Sequence, residues 1–207
     1  MRRFLAIAVV AVLGLVGVPS VAAAVSTGSD AMTRVVVKPL GISLQYPSTW
    51  IVAKLTKKEL AAQVDALSKT DPAVATQLSQ TDLKTAKFRA IDGAASVGDV
   101  LSNVRVQQVN SPAPRNLAAF TREVTQSYEA EGDTVLGTKG VKVGGTTAYR
   151  VDLTVPITTS GTTPTIARIS QLAIPRGSKA ALITVAAPDT DAGGALIDSI
   201  LGSVRAA

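Results

Sequence analysis

Residues 141–155 read Val141-Lys142-Val143-Gly144-Gly145-Thr146-Thr147-Ala148-Tyr149-Arg150-Val151-Asp152-Leu153-Thr154-Val155. From Ala148 to Val155, Tyr149, Val151, Leu153 and Val155 alternate with other residues. A two-residue period marks a strand with one buried face. Gly144-Gly145 is a tight turn ahead of it. It is not a phosphate loop, since no Lys-Ser/Thr follows and no helix opens there. Before the turn, Thr134 to Val143 reads as a strand pair with its own turn near Gly137 or Gly140. After it, Thr158 to Pro164 reads as a polar hairpin tip. Ile166 to Ile174 and Ala180 to Ala186 read as two more strands, parted by Pro175-Arg176-Gly177-Ser178. Strands that follow one another through short turns pair antiparallel. Arg150 and Asp152 are the charged residues set inside an apolar run, on the face opposite Tyr149. A salt bridge or solvent accounts for them, unless a helix covers that face and makes them a buried pair.

Further from this stretch the period changes. Leu117, Phe120, Val124 and Tyr128 form one stripe on a helix expected over Leu117 to Glu131, which Gly132 ends. Pro112 and Pro114 precede it. Earlier, Leu60, Val64 and Leu67 recur at helical spacing in Lys57 to Lys69, with Thr56 as N-cap and Glu59 completing a capping box. Asp71-Pro72 opens a second helical piece to about Ser79. Thr33 to Val37, Ile42 to Tyr46, Phe88 to Ile91 and Val104 to Val109 read as strands, and Asp92 to Gly98 as a mobile loop. A last helix runs to about Arg205. Asp189 or Asp191 caps it, and Leu196, Ile200 and Val204 are expected to be buried. The sum is one α+β domain of six to eight strands with helices on both faces.

The N-terminus has a different purpose. Arg2 and Arg3 precede an uncharged apolar run from Phe4 to Val18, and Ala22 and Ala24 are the small residues a signal peptidase reads. Residues 1–24 are expected to be a signal peptide cut between Ala24 and Val25, followed by a flexible tether over 25–32 and a single domain over 33–207. The apolar run is shorter than the ~20 residues a spanning helix needs; an uncleaved anchor is the alternative. Removal leaves 19 basic against 15 acidic residues, a net charge of +4. That mild charge, with 3% aromatic residues, lacks the basic stripe and stacking platforms of a nucleic-acid binder. Cysteine is absent, so there is no lipobox, and the domain must be stable without disulfides. Histidine is absent as well. This excludes Ser-His-Asp and Cys-His hydrolases and zinc sites that need imidazole or thiolate ligands.

Two motifs carry a family resemblance. Tyr46-Pro47-Ser48-Thr49-Trp50 is similar to the aromatic-Pro-x-x-Trp opening of the PsbP/Mog/DcrB superfamily. The helix Asn116 to Glu131 leading into Val141 to Arg150 resembles the "v-x-v-x-G-x-x-a-y-r" hairpin of its actinobacterial secreted members, including the LpqN/LpqT lipoprotein group. The resemblance spans roughly Val35 to Arg205. It implies an α-β-α sandwich around a mainly antiparallel sheet of about six strands, and a non-enzymatic protein that binds partners; it supplies no catalytic residues. The missing lipobox cysteine departs from the lipoprotein group and implies a released or loosely held protein.

Few residues stand out as sites. Trp50, the lone tryptophan, anchors the sheet or lines an apolar ligand groove. Lys54, Lys57 and Lys58 form a solvated face or touch an anionic surface. These four are the ligand-contact candidates. Glu129, Glu131 and Asp133 gather at a helix end without the ligand series of a calcium loop. No catalytic residue, metal site or cofactor is expected. The expected function is stoichiometric binding to an envelope or extracellular protein, with weak contact to anionic surfaces and none to nucleic acid. The alternative is a carrier of a lipid or other apolar ligand in a cleft between sheet and helices.

Overall fold

The computed structural model describes residues 31–97, 100–110, 116–157 and 165–207. The expected signal peptide, residues 25–30 of the tether, and the Thr158 to Pro164 tip lie outside the described residues. In chain order the elements are β1 (Met32–Val37), β2 (Ile42–Pro47), β3 (Ile51–Val52), α1 (Lys57–Leu67), α2 (Pro72–Ser79), β4 (Ala86–Val97), β5 (Val100–Val109) and α3 (Leu117–Ala130). They continue with β6 (Thr134–Val143), β7 (Thr146–Ile157), β8 (Thr165–Arg176), β9 (Lys179–Pro188), α4 (Asp191–Gly202) and β10 (Arg205–Ala206). A short 3₁₀ turn, Lys38–Leu40, links β1 to β2.

The strands form two sheets. A seven-stranded one runs β3-β4-β5-β9-β8-β7-β6, and a three-stranded one runs β1-β2-β10. Every pairing is antiparallel. The strand period divides the large sheet into two faces. Phe88, Ala90, Val104, Val106, Leu172, Ile174, Ala181 and Ile183 pack with the small sheet and with Ile197, Ile200 and Leu201 of α4. On the opposite face, Tyr149, Val151, Leu153, Ile169 and Leu182 pack under Phe120 and Tyr128 of α3. A separate cluster there joins Ile91 and Leu101 to Leu60, Val74 and Leu78 of α1 and α2. Layers of helix, sheet and helix result, as expected for an α+β sandwich.

Local signals explain the helix starts. Thr56 caps α1 by accepting from Glu59 N, Asp71 caps α2 with Pro72 following, and Asn116 caps α3. Gly144 and Gly145 both take positive φ, +54° and +80°, which the tight hairpin turn between β6 and β7 requires.

Several expectations are corrected. The main antiparallel sheet, expected with about six strands, has seven, and a second sheet of three strands joins it because β2 finds a further partner in β10 at the far end of the chain. Thr134 to Val143 is one strand, with a register irregularity between Val135 and Gly137; a glycine inside a strand marks a bulge as readily as a turn. The segment from Asp92 is no loop, since β4 continues to Val97 and Ser96 pairs with Leu101. Leu117 is 38% exposed. It shares the angle of the Phe120 stripe but occupies the first position of the helix, where its side chain lines an outer hollow. The last helix is capped by Thr190, whose hydroxyl accepts from Gly193 N, and it ends at Gly202, after which β10 pairs with β2.

Candidate functional site

Two polar clusters lie within the sandwich, one on each face of the large sheet. The first surrounds Arg150 on β7, beneath α4. Arg150 Nε donates to Asp152 Oδ1 at 2.7 Å, and an Arg150 terminal nitrogen meets Asp198 Oδ1 of α4 at 2.6 Å. Ser170 on β8 donates its hydroxyl to Asp152. Lys139 stands 4.0 Å from the same carboxylate, and Arg168 pairs with Asp189 at 2.9 Å. These residues border a cleft of about 260 Å³ that opens to solvent. The face is covered by a helix, and the cation at its centre is bracketed by carboxylates. A guanidinium held by two acids and a hydroxyl is a structural clasp between sheet and helix.

The second cluster lies on the α2–α3 face. Register aligns Arg89 on β4 with Arg105 on β5, Arg105 with Thr184 on β9, and Thr184 with Gln171 on β8. Arg89 is 6% exposed. Its terminal nitrogens donate to Thr81 Oγ1 and Gln77 Oε1, both at 3.0 Å. Arg105 is half-buried. Among the described residues, neither arginine forms an ion pair within 4.0 Å. Burial, together with the neighbouring Arg105, lowers the Arg89 pKa to about 10; burial lowers Arg105 too. Both stay charged at neutral pH. At the far end of the row, the Tyr128 hydroxyl donates to Gln171 Oε1 at 2.7 Å. Burial, followed by Glu131 and Asp133, pushes that phenol up.

Arg150 and Asp152 are therefore not the charged residues alone in an apolar run. Phe88-Arg89-Ala90-Ile91 and Val104-Arg105-Val106 have the same character. The signal was present, because each arginine sits between residues that face the other core.

The sequence candidates lie elsewhere and apart from these clusters. Trp50 is 5% exposed and packs in the core on the α4 side. Lys54, Lys57 and Lys58 are exposed at the junction of β3 and α1, and none enters an ion pair among the described residues. Glu129 and Glu131 are exposed and Asp133 half-buried; burial and then Glu131 raise the Asp133 pKa. Among the described residues no group of three or more acidic side chains could hold a metal. None of their helices is long and apolar enough to cross a membrane. The larger hollow, about 690 Å³ and open to solvent, runs along the outer side of α3 past Leu117, Thr121 and Thr125.

No family model and no curated protein matches the sequence. Solved structures do. The solution structure of cyanobacterial PsbP from Synechocystis sp. PCC 6803 superposes with a TM-score of 0.52 at 13% identity, covering 94% of this chain and 99% of that one. The chain has the PsbP fold. Two other structures with lower scores are the Saccharomyces cerevisiae Ran-binding protein Mog1p and Mycobacterium tuberculosis LpqN, which is involved in cell envelope biogenesis. Mog1p has a TM-score of 0.49 at 12% identity, covering 86% of this chain and 96% of its own. LpqN has a TM-score of 0.42 at 12% identity, covering 86% of each chain. At these identities the PsbP likeness concerns fold alone. The Arg150 clasp and the Arg89–Arg105 row are features of this sequence laid on the PsbP sheet.

Proposed function

We propose that this protein is an exported, non-catalytic accessory protein of the cell envelope that acts by stoichiometric binding to a protein partner. The observation that carries the reading is the filled interior. Leu, Ile, Val and aromatic side chains close both faces of the large sheet, while the two hollows described are open ones at the surface. A carrier needs an enclosed, mostly apolar chamber of a few hundred Å³; a filled core with a surface groove suits a binding module. The absence of histidine and cysteine removes the usual base and nucleophile at neutral pH. Export rests on the signal pattern in residues 1–24 and on cleavage before Val25.

The test has two arms. N-terminal sequencing of exported protein should begin at Val25; intact Met1 in the membrane fraction would refute export of a cleaved form. A photo-crosslinker at Gln126, on the α3 groove, should capture one protein at 1:1, and Leu117→Asp should abolish capture. A lipid extracted from the purified protein at 1:1 would favour the carrier instead.

A further inference from the structure

We propose that Arg105 and Arg89, with Thr184 and Gln171 beside them, bind a small oxyanion of the phosphate or carboxylate type on the α2–α3 face of the sheet. Arg89 and Arg105 oppose each other directly across β4 and β5, and like charges in that relation destabilise a sheet. The fold does little to relieve it. The groups that meet Arg89 are neutral, the Thr81 hydroxyl and the Gln77 amide oxygen. Asp82 is the acid whose charge reaches Arg105, but it is exposed, and its carboxylate already accepts from Thr85 Oγ1 and Lys84 N.

The hydrogen-bond inventory points the same way. Six buried side-chain polar atoms lack a partner among the described residues, and five of them lie in this one row or beside it: Arg89 Nε, Arg105 Nε, Gln107 Oε1, Gln171 Nε2 and Thr184 Oγ1. Buried polar groups in native proteins are almost always bonded, and a cluster of orphans asks for an occupant. The first two and Gln171 Nε2 are donors, and a threonine hydroxyl can donate. Gln107 is the exception. Its amide nitrogen donates to Thr85 Oγ1, whose own proton goes to the Asp82 carboxylate, so Gln107 Oε1 stays an acceptor outside the donor set. Water would satisfy donors and acceptors alike. A set of donors around two uncompensated guanidiniums suits an acceptor-only group with negative charge. Arginine forks match carboxylate and phosphate oxygens, and half-buried Arg105 is the side from which such an anion reaches the row.

The experiment uses the purified full chain labelled with ¹⁵N-arginine, titrated separately with inorganic phosphate and with acetate at constant ionic strength. The Arg105 Nε–Hε resonance should move saturably with one of them, and which one moves it distinguishes a phosphate from a carboxylate ligand. Saturating ligand should raise the melting temperature by roughly 5 °C over an equal ionic strength of chloride. Arg105→Met keeps the apolar stem and removes the charge. It should melt no lower than the parent without ligand, and it should lose the ligand-dependent rise. Thr184→Val, which removes one donor, should weaken binding several-fold. Resonances indifferent to both anions would overturn the proposal, leaving water as the occupant. A ligand-dependent rise that survives in Arg105→Met would overturn it too, by placing the anion elsewhere.

Discussion

Replacing Phe120 by alanine tests whether α3 is clamped to the sheet by the packing described. Phe120 is 6% exposed and stacks on Tyr149 with ring centroids 5.4 Å apart and planes 24° from parallel. A buried aromatic side chain removes about 150–250 Å² from water, worth roughly 4–6 kcal/mol at about 25 cal/mol per Å². Alanine keeps a small part of that, and the cavity left behind adds a cost, so measured truncations fall at about 3–5 kcal/mol. Urea unfolding should show a loss of about 4 kcal/mol at unchanged m-value. In a chain of this size the melting temperature should fall by roughly 8–16 °C. Leu117→Ala supplies the contrast. Helical spacing alone makes Leu117 the equal of Phe120, whereas its exposure predicts a loss below about 1 kcal/mol. A loss below about 1 kcal/mol for Phe120→Ala would mean that the face is free, and equal losses for the two variants would mean that α3 begins deeper in the fold than described.

Three further expectations follow from the turns, the caps and the buried phenol. Gly145→Ala should cost about 1–2 kcal/mol for its left-handed backbone, with no atom near the added methyl. Gly144→Ala should cost clearly more, because its Cβ would stand 2.4 Å from Ala206 Cβ in β10; equal melting temperatures would refute that contact. Thr190→Ala should lower stability by about 1 kcal/mol as the α4 cap is lost, and Asp191→Ala by less, since Asp191 lies in the first turn and not at the cap. Tyr128 is held neutral by burial and by Glu131 and Asp133. Above about pH 10 the unfolded phenol therefore ionises first, so stability should fall as pH rises through that value. Tyr128→Phe should lack that part of the alkaline slope, while losing about 1–3 kcal/mol near neutral pH because Gln171 Oε1 is left unpaired.

What the sequence made legible is what local spacing encodes. The caps Thr56 and Asp71 and the stripe through Phe120, Val124 and Tyr128 lie within a few turns of the residues they organise, and α1, α2 and α3 begin where they imply. The alternation of Tyr149, Val151 and Leu153 likewise marked the apolar face of β7, and the structure packs that face under α3. The division into two sheets was not legible, because β2 finds one neighbour in β1 and the other in β10, some 160 residues away. Gly137 and Gly140 misled for a related reason. Glycine weakens a strand and frees a turn equally well, and only the continuous ladder with β7 decides between the two. Arg150 and Asp152 were visible as a possible site because their strand is long and regular. Arg89 and Arg105 lie in runs of the same kind, but a strand read alone does not reveal that both of its faces will be covered.

The two faces of the large sheet answer the same physical problem differently. Beneath α4, the guanidinium of Arg150 meets Asp152 and Asp198, and that of Arg168 meets Asp189. On the α2–α3 face, Arg89 and Arg105 stand in direct register; Arg89 meets neutral groups, and neither enters an ion pair within 4.0 Å among the described residues. The fold can thus place acids opposite half-buried cations, and it does so on the other face of the same sheet. A buried charge kept for stability alone would be served as well or better by an apolar side chain of similar volume. Retaining two such charges side by side, with donors unfilled, makes sense when their counter-charge arrives from outside the chain. On that reasoning the anion dependence of the melting temperature belongs to Arg105 and not to the exposed lysines before α1, and neutralising Lys54, Lys57 and Lys58 should leave it unchanged.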